Sequence, residues 1–235
     1  IRGREGMFGR SGKIIMAHRG ASAYERENTL RAFERAIELG ADVVEFDVRK
    51  TADHVLIVHH DEKIRGRIIR ELPYADVGRL AGRGGFHVPM LEEVLILARG
   101  RIGLNAELKE QGYEADVAAL MGAFLDDSDF VLSSFNEASV EFIKGRYPAI
   151  QAGLVLGKNF HRGIGRVKAD FWVPNWRLLD ETLFRMAEKQ DKPLVVWTLN
   201  DRRKLKRYLA DPRIRGVITD RPDLAVSVRR ECLLF

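Results

Sequence analysis

The 235-residue chain has a single cysteine, Cys232. One thiol excludes an intrachain disulfide and a multi-cysteine metal site, and its place in no motif near the C-terminus marks it as a bystander. No apolar run approaches the roughly 18 residues that a membrane span needs. No charged-then-apolar leader opens the chain either, so a cytoplasmic protein without an integral membrane segment is expected. Residues 1–12 are expected to be flexible or partly cloning-derived, with Met7 as the natural start. Linkers rich in proline or serine, low-complexity tracts and repeats are also absent, so 1–235 reads as a single domain, a normal size for an α/β barrel. The basic run Arg202–Arg207 has no interleaved aromatics for base stacking. It reads as a solvated helix face, and no nucleic-acid partner is expected.

What is present is an ordinary globular composition, 46% hydrophobic and 31% charged. The net charge of +5 favours anionic partners without choosing among small molecules, membrane surfaces and nucleic acid. Short β-branched runs alternate with segments of helical period, the pattern of βαβ units. The strands fall at Lys13–His18, Val43–Val48, Ile102–Leu108, Phe130–Ser134, Ala152–Leu156, Phe171–Pro174, Leu194–Leu199 and Val217–Thr219. Helices are expected at Asn28–Leu39, Met90–Arg99, Glu114–Leu125, Glu137–Arg146, Asp180–Gln190, Arg202–Leu209 and Asp223–Arg230. The link around Phe160–Val167 is glycine-broken and only weakly helical. Asn28-Thr29 can cap the first helix, Gly40 ends it, and Pro89 marks the first turn of the next. Eight such units predict a closed (β/α)₈ barrel, with an open doubly wound sheet as the alternative.

One run breaks the alternation. His54–His60 follows the second strand too closely for a parallel crossover, so the two should form an antiparallel hairpin turning near Ala52-Asp53. A short insertion follows it. Counting outward from the turn sets His60 roughly opposite Asp47, and His59 on the other side. Strand alternation separates Val44, Phe46 and Val48 from Glu45 and Asp47. It likewise turns Asn105, Glu107 and Lys109 inward, away from Leu104, Ala106 and Leu108. With His18 ending the first strand, three acids and a histidine meet at one rim, where barrel enzymes keep their sites. Carboxylates crowded there either pair with cations or take up an ion. Salt bridges to Arg19 and Lys109 would satisfy Glu45 and Asp47. The third acid favours instead one hard divalent cation, Mg²⁺ or Ca²⁺, with Mn²⁺ also admissible. Surface or packing roles are expected for His54, His87 and His161.

These residues resemble a known family. His18-Arg19-Gly20, Glu27-Asn28-Thr29, Gly40–Val48, Thr51, Asp53, His60-Asp61, Pro89–Glu93 and Glu107-Leu108-Lys109 follow, in order, the pattern of the glycerophosphodiester phosphodiesterases. Ser133-Ser134-Phe135, Trp197–Asn200 and Gly216–Pro222 continue it. The resemblance implies a barrel enzyme that hydrolyses a small-molecule glycerophosphodiester to glycerol 3-phosphate and an alcohol. It makes His18 and His60 the acid/base pair, Glu45, Asp47 and Glu107 the metal ligands, Arg19 and Lys109 phosphate contacts, and Trp197 a pocket wall. The attacking oxygen belongs to water or to the substrate's own glycerol hydroxyl. Two rivals remain, a lysophospholipase D and a silent phosphate-binding barrel, and the oligomeric state is open. Arg26 stands where the family usually has proline, and the segment from Asp61 to Gly85 is compact and lacks the usual threonines. Both departures bear on substrate preference.

Overall fold

The computed structural model describes residues 12–158 and 166–232. The expectations for residues 1–11, for His161 and for most of the link after the fifth barrel strand lie outside the described residues. In chain order the first half runs β1 (Ile14–His18), α1 (Leu30–Glu38), β2 (Val43–Lys50), β3 (Leu56–Val58), β4 (Lys63–Ile64), β5 (Arg67–Ile68), α2 (Tyr74–Gly82) and α3 (Leu91–Ala98). It continues with β6 (Gly103–Leu108), α4 (Glu114–Phe124), β7 (Phe130–Ser134), α5 (Glu137–Arg146) and β8 (Gln151–Leu156). The last part holds β9 (Phe171–Pro174), α6 (Glu181–Lys189), β10 (Leu194–Val196), α7 (Arg202–Ala210), β11 (Ile214–Thr219) and α8 (Pro222–Cys232).

Strands β1, β2 and β6 to β11 are all parallel, and β1 pairs with both β2 and β11, which closes the ring. The fold is therefore the expected (β/α)₈ barrel, and the open sheet is excluded. The alternation explains how one sequence builds two cores. Val44, Phe46, Val48, Leu104, Ala106 and Leu108 pack outward under the helices. Ile14, Met16, Val43, Val131, Phe171 and Ile218 fill the interior. Because Val43, Glu45 and Asp47 share a face, the interior packing of β2 passes into acidic groups toward its C-terminal end.

Helix ends follow their cap chemistry. Thr29, not Asn28, caps α1, its Oγ1 accepting from Ala32 N at 3.2 Å. Pro89 lies just outside α3, and its carbonyl accepts from Val58 N at 2.9 Å. Strand β10 ends at Val196, short of the expected Leu199, and β11 begins earlier, at Ile214.

Two local expectations need correction. The β2–β3 hairpin turns where predicted, with Thr51 N donating to Val55 O at 3.0 Å. Its register, Val48 with Val58 and Arg49 with Ile57, puts His59 rather than His60 across from Asp47. His59 N donates to Asp47 O at 3.0 Å. Counting alternation through residue 60 fails because β3 stops at Val58. Beyond it the guanidinium of Arg49 holds the His60 carbonyl, through Nε at 3.0 Å and Nη2 at 2.8 Å. The insertion also contains a helix, α2, that periodicity did not predict. Gly78 and Gly82 weaken its propensity. It is held by a satellite core in which Val77 and Ala81 meet Ile57, Ile64, Ile69, Leu72 and Val88.

Candidate active site

His18 ends β1, and the chain then turns sharply. Arg19 and Gly20 both have left-handed backbone, φ 53° and 84°. A Cβ on Gly20 would stand 2.6 Å from the Ala32 carbonyl carbon, backbone that cannot move aside. Gly20→Ala is therefore expected to destabilise the protein by roughly 2–4 kcal/mol, overpacking added to backbone strain, as read by urea unfolding. The turn delivers Arg19 N–H to Glu45 Oε2 at 3.0 Å. Asn28, also left-handed at φ 56°, faces the second acid. Its Nδ2 donates to Asp47 Oδ2 at 2.8 Å, and its Oδ1 accepts from Asp47 N at 3.3 Å.

Glu45 pairs across the sheet with His18, and Asp47 with Glu107. One oxygen from each of Glu45, Asp47 and Glu107 lies within 4.8 Å of the others. Two cations attend them. Lys109 Nζ is 2.6 Å from Glu107 Oε1 and 3.3 Å from Asp47 Oδ1, and Arg19 Nε is 3.2 Å from Asp47 Oδ2. The ion pairs form with Asp47 and, in place of the expected Glu45, with Glu107, and they coexist with the acidic trio. Burial, then the charge on Asp47, pushes Glu45 up to about 8. Burial likewise raises Glu107, against the pull of Lys109. For Asp47 the same burial is outweighed by Lys109, Arg19 and Asn28, which leave it below the usual carboxylate range. The two charges of this Lys and Arg do not match three ionised acids, so one carboxyl keeps a proton unless a further cation comes. Asp47 Oδ1 and Arg19 Nε are buried and lack hydrogen-bonding geometry to any partner among the described residues. Three converging oxygen donors, one orphaned, suit a hard divalent cation.

The two histidines flank this cluster, and each has a carboxylate at Nδ1. His18 Nδ1 is 2.6 Å from Asp220 Oδ1, and His60 Nδ1 is 2.8 Å from Asp61 Oδ1. Among the described residues, Nε2 is therefore the ring nitrogen left free in both. Burial lowers the His18 pKa, but the Asp220 hydrogen bond and Glu45 outweigh it and the net direction is upward. Ser22 Oγ donates to Asp220 Oδ1 at 3.1 Å, and Asn200 Nδ2 donates to Oδ2. His59, His54 and His87 do not line this cavity; His87 lies 3.1 Å from Glu93.

A cavity of about 110 Å³ joins His18, Arg19, Glu45, His60, Glu107 and Lys109. Its apolar side includes Phe135 and Trp197, whose rings meet edge to face at 5.7 Å. Trp197 is fixed by Nε1 donating to Val173 O at 2.9 Å. All eight side chains singled out in the sequence thus meet in one place. Asp220, Asn28 and Phe135 also belong there and had been given no site role. Asp220 follows the last strand, which a closed barrel sets beside the first, and that was the available signal.

The family model for the glycerophosphoryl diester phosphodiesterases matches residues 18–224. A glycerophosphodiester phosphodiesterase of Caldanaerobacter subterraneus is 29% identical over 240 residues, 93% of this chain and 98% of its own. A glycerophosphodiester phosphodiesterase structure from Agrobacterium tumefaciens superposes with a TM-score of 0.78 at 26% identity, over 92% of this chain and 99% of that one. An Oleispira antarctica phosphodiesterase, solved with the product sn-glycerol-3-phosphate, has a TM-score of 0.79 at 22% identity, over 92% and 96%, and speaks for the fold. With the match running from the histidine that ends β1 into α8, the chain belongs to the glycerophosphoryl diester phosphodiesterase family.

Proposed function

We propose that the protein is a divalent-cation-dependent phosphodiesterase that hydrolyses glycerophosphodiesters to glycerol 3-phosphate and an alcohol. The observation that carries this reading is the acidic trio within 4.8 Å, set between two histidines that each hold a carboxylate at Nδ1. Family membership supports it, as do the names of the relatives.

Glu45, Asp47 and Glu107 would hold the cation, Mg²⁺ or Ca²⁺ with Mn²⁺ as a third candidate; when bound it supplies positive charge against the phosphate oxygens. Arg19 and Lys109 face the same oxygens and offset charge that builds there in the transition state. His18, its basicity raised by Asp220, takes the proton from the attacking oxygen. His60 gives a proton to the departing alkoxide. Trp197 and Phe135 shield one arm of the diester from water.

Asp220 acts through His18, as a positioning residue. Asp220→Asn is expected to lower kcat by roughly 10–100-fold, the effect of losing a partner that fixes an imidazole's tautomer and orientation. Asp220 raises the His18 pKa, so its loss should also move the acidic limb of the kcat/KM profile to lower pH. An unshifted limb would reduce Asp220 to a packing residue.

The direct test is release of the free alcohol, choline or ethanolamine, from glycerophosphocholine, glycerophosphoethanolamine and lysophosphatidylcholine, because cleavage of the last leaves lysophosphatidic acid in place of glycerol 3-phosphate. Faster release from the first two is expected. Preference for lysophosphatidylcholine would make the protein a lysophospholipase D. Binding of glycerol 3-phosphate without turnover of any substrate would make it a silent binding barrel.

A further inference from the structure

Beside the active-site cavity lies a second depression of about 330 Å³, lined by Arg26, His59, Asp61, Lys63, Arg65 and Phe86 among others. The two are linked through one pair of side chains, since His60 lines the first and Asp61, at its Nδ1, lines the second. Three cations and one carboxylate face this groove. The carboxylate is engaged, Asp61 Oδ1 lying 2.8 Å from His60 Nδ1. Burial holds His59 below its ordinary pKa, so it adds no charge near neutrality. Arg26, Lys63 and Arg65 make no ion pair with a carboxylate among the described residues.

These cations are built into the walls. The Arg65 guanidinium is held by two carbonyls, Nε to Leu80 O at 3.1 Å and Nη2 to Arg83 O at 2.8 Å. The Arg26 guanidinium stacks 3.5 Å from the Phe86 ring centroid. That contact joins the β1–α1 loop to the insertion, so both sides of the groove are tied together. Gly84 makes room for it, because a Cβ there would stand 2.8 Å from Phe86 Cε1 and 3.1 Å from Ala81 O. Arg26 is also the residue found where the family pattern leads one to expect proline. Two oriented guanidinium groups and an ammonium, against the single carboxylate of Asp61, leave the groove net positive and match the oxygens of a dianionic phosphate better than a neutral or cationic head group.

We infer that this groove receives a phosphate carried by the leaving alcohol, so that the preferred substrates are glycerophosphodiesters whose alcohol is itself phosphorylated. The inference rests on the phosphodiesterase reading above, in which His60 protonates the departing oxygen. The alcohol then leaves on the His60 side, into the groove. The first cavity, at about 110 Å³, keeps the glycerol phosphate arm.

The test compares glycerophosphoinositol with glycerophosphoinositol 4-phosphate, for the wild type and the double variant R26Q/K63Q. The wild type is expected to show a kcat/KM roughly tenfold higher for the phosphorylated substrate, as a few exposed charge contacts give, and the ratio should shrink as salt is raised. R26Q/K63Q should bring the two substrates to near parity while leaving the rate on glycerophosphoinositol unchanged. That unchanged rate also reports that the variant is folded. Equal wild-type rates on both substrates, or a preference that survives R26Q/K63Q, would overturn this inference and leave the phosphodiesterase reading standing. Release of glycerol 3-phosphate from neither substrate would overturn both.

Discussion

Chelation with EDTA is expected to bring glycerol 3-phosphate release to background, and excess Mg²⁺, Ca²⁺ or Mn²⁺ to restore it. The reason lies in the charge balance at the barrel mouth. Arg19 and Lys109 answer two of the three buried acids, and Glu45, pushed up to about 8, is left holding a proton at neutral pH. A divalent ion entering between Glu45, Asp47 and Glu107 has to expel that proton. The sign follows from the direction of the shift. Below about 8 the metal-free protein carries a proton that the loaded protein lacks, so affinity should rise with pH, by about tenfold per unit, and level off above that value. Calorimetry at pH 7 in two buffers of different ionisation enthalpy should therefore detect close to one proton released per ion bound. The same ion should raise the unfolding temperature, since it binds only the folded arrangement. Full activity in EDTA, with no change in unfolding temperature on adding any of the three ions, would dismiss the metal from this site.

Glu45, Asp47, Glu107 and Lys109 were legible in the sequence because parity along a single strand decides which way they point. Each claim needed only its own half-dozen residues, and the register Asp47 with Glu107 then brought the strands together. His60 lines the cavity although the register that singled it out is one residue out. Alternation ends with β3 at Val58, and a distant guanidinium, Arg49, sets the direction beyond it. Asp220 lies 202 residues from His18 and meets it only because the ring closes. Nothing local announces such a contact. Asn28 read as a helix cap because its residue type suits one, while its left-handed backbone hands that task to Thr29 and frees its amide for Asp47. Helix α2 was invisible for a related reason. Its own residues favour it weakly, and side chains from five other positions in the insertion and hairpin hold it in place.

His18→Ala and His60→Ala are each expected to lower kcat by about 10²–10⁴-fold, the range typical of a positioned proton transfer. Both should leave KM for glycerophosphocholine within a few-fold, because Arg19, Lys109 and the acidic cluster still address the phosphate. The two losses should differ in kind. His60 is assigned to the departing oxygen, so a substrate with a good leaving group, such as a p-nitrophenyl ester of glycerol phosphate, needs little help there. His60→Ala should recover much of its rate on that substrate. His18 is assigned to the attacking oxygen, whose proton has to be removed whatever leaves, and His18→Ala should recover little. The opposite pattern would exchange the two roles. Near wild-type turnover by both variants on both substrates would remove the histidines from the reaction, whatever the closeness of His18 to Asp220 and of His60 to Asp61.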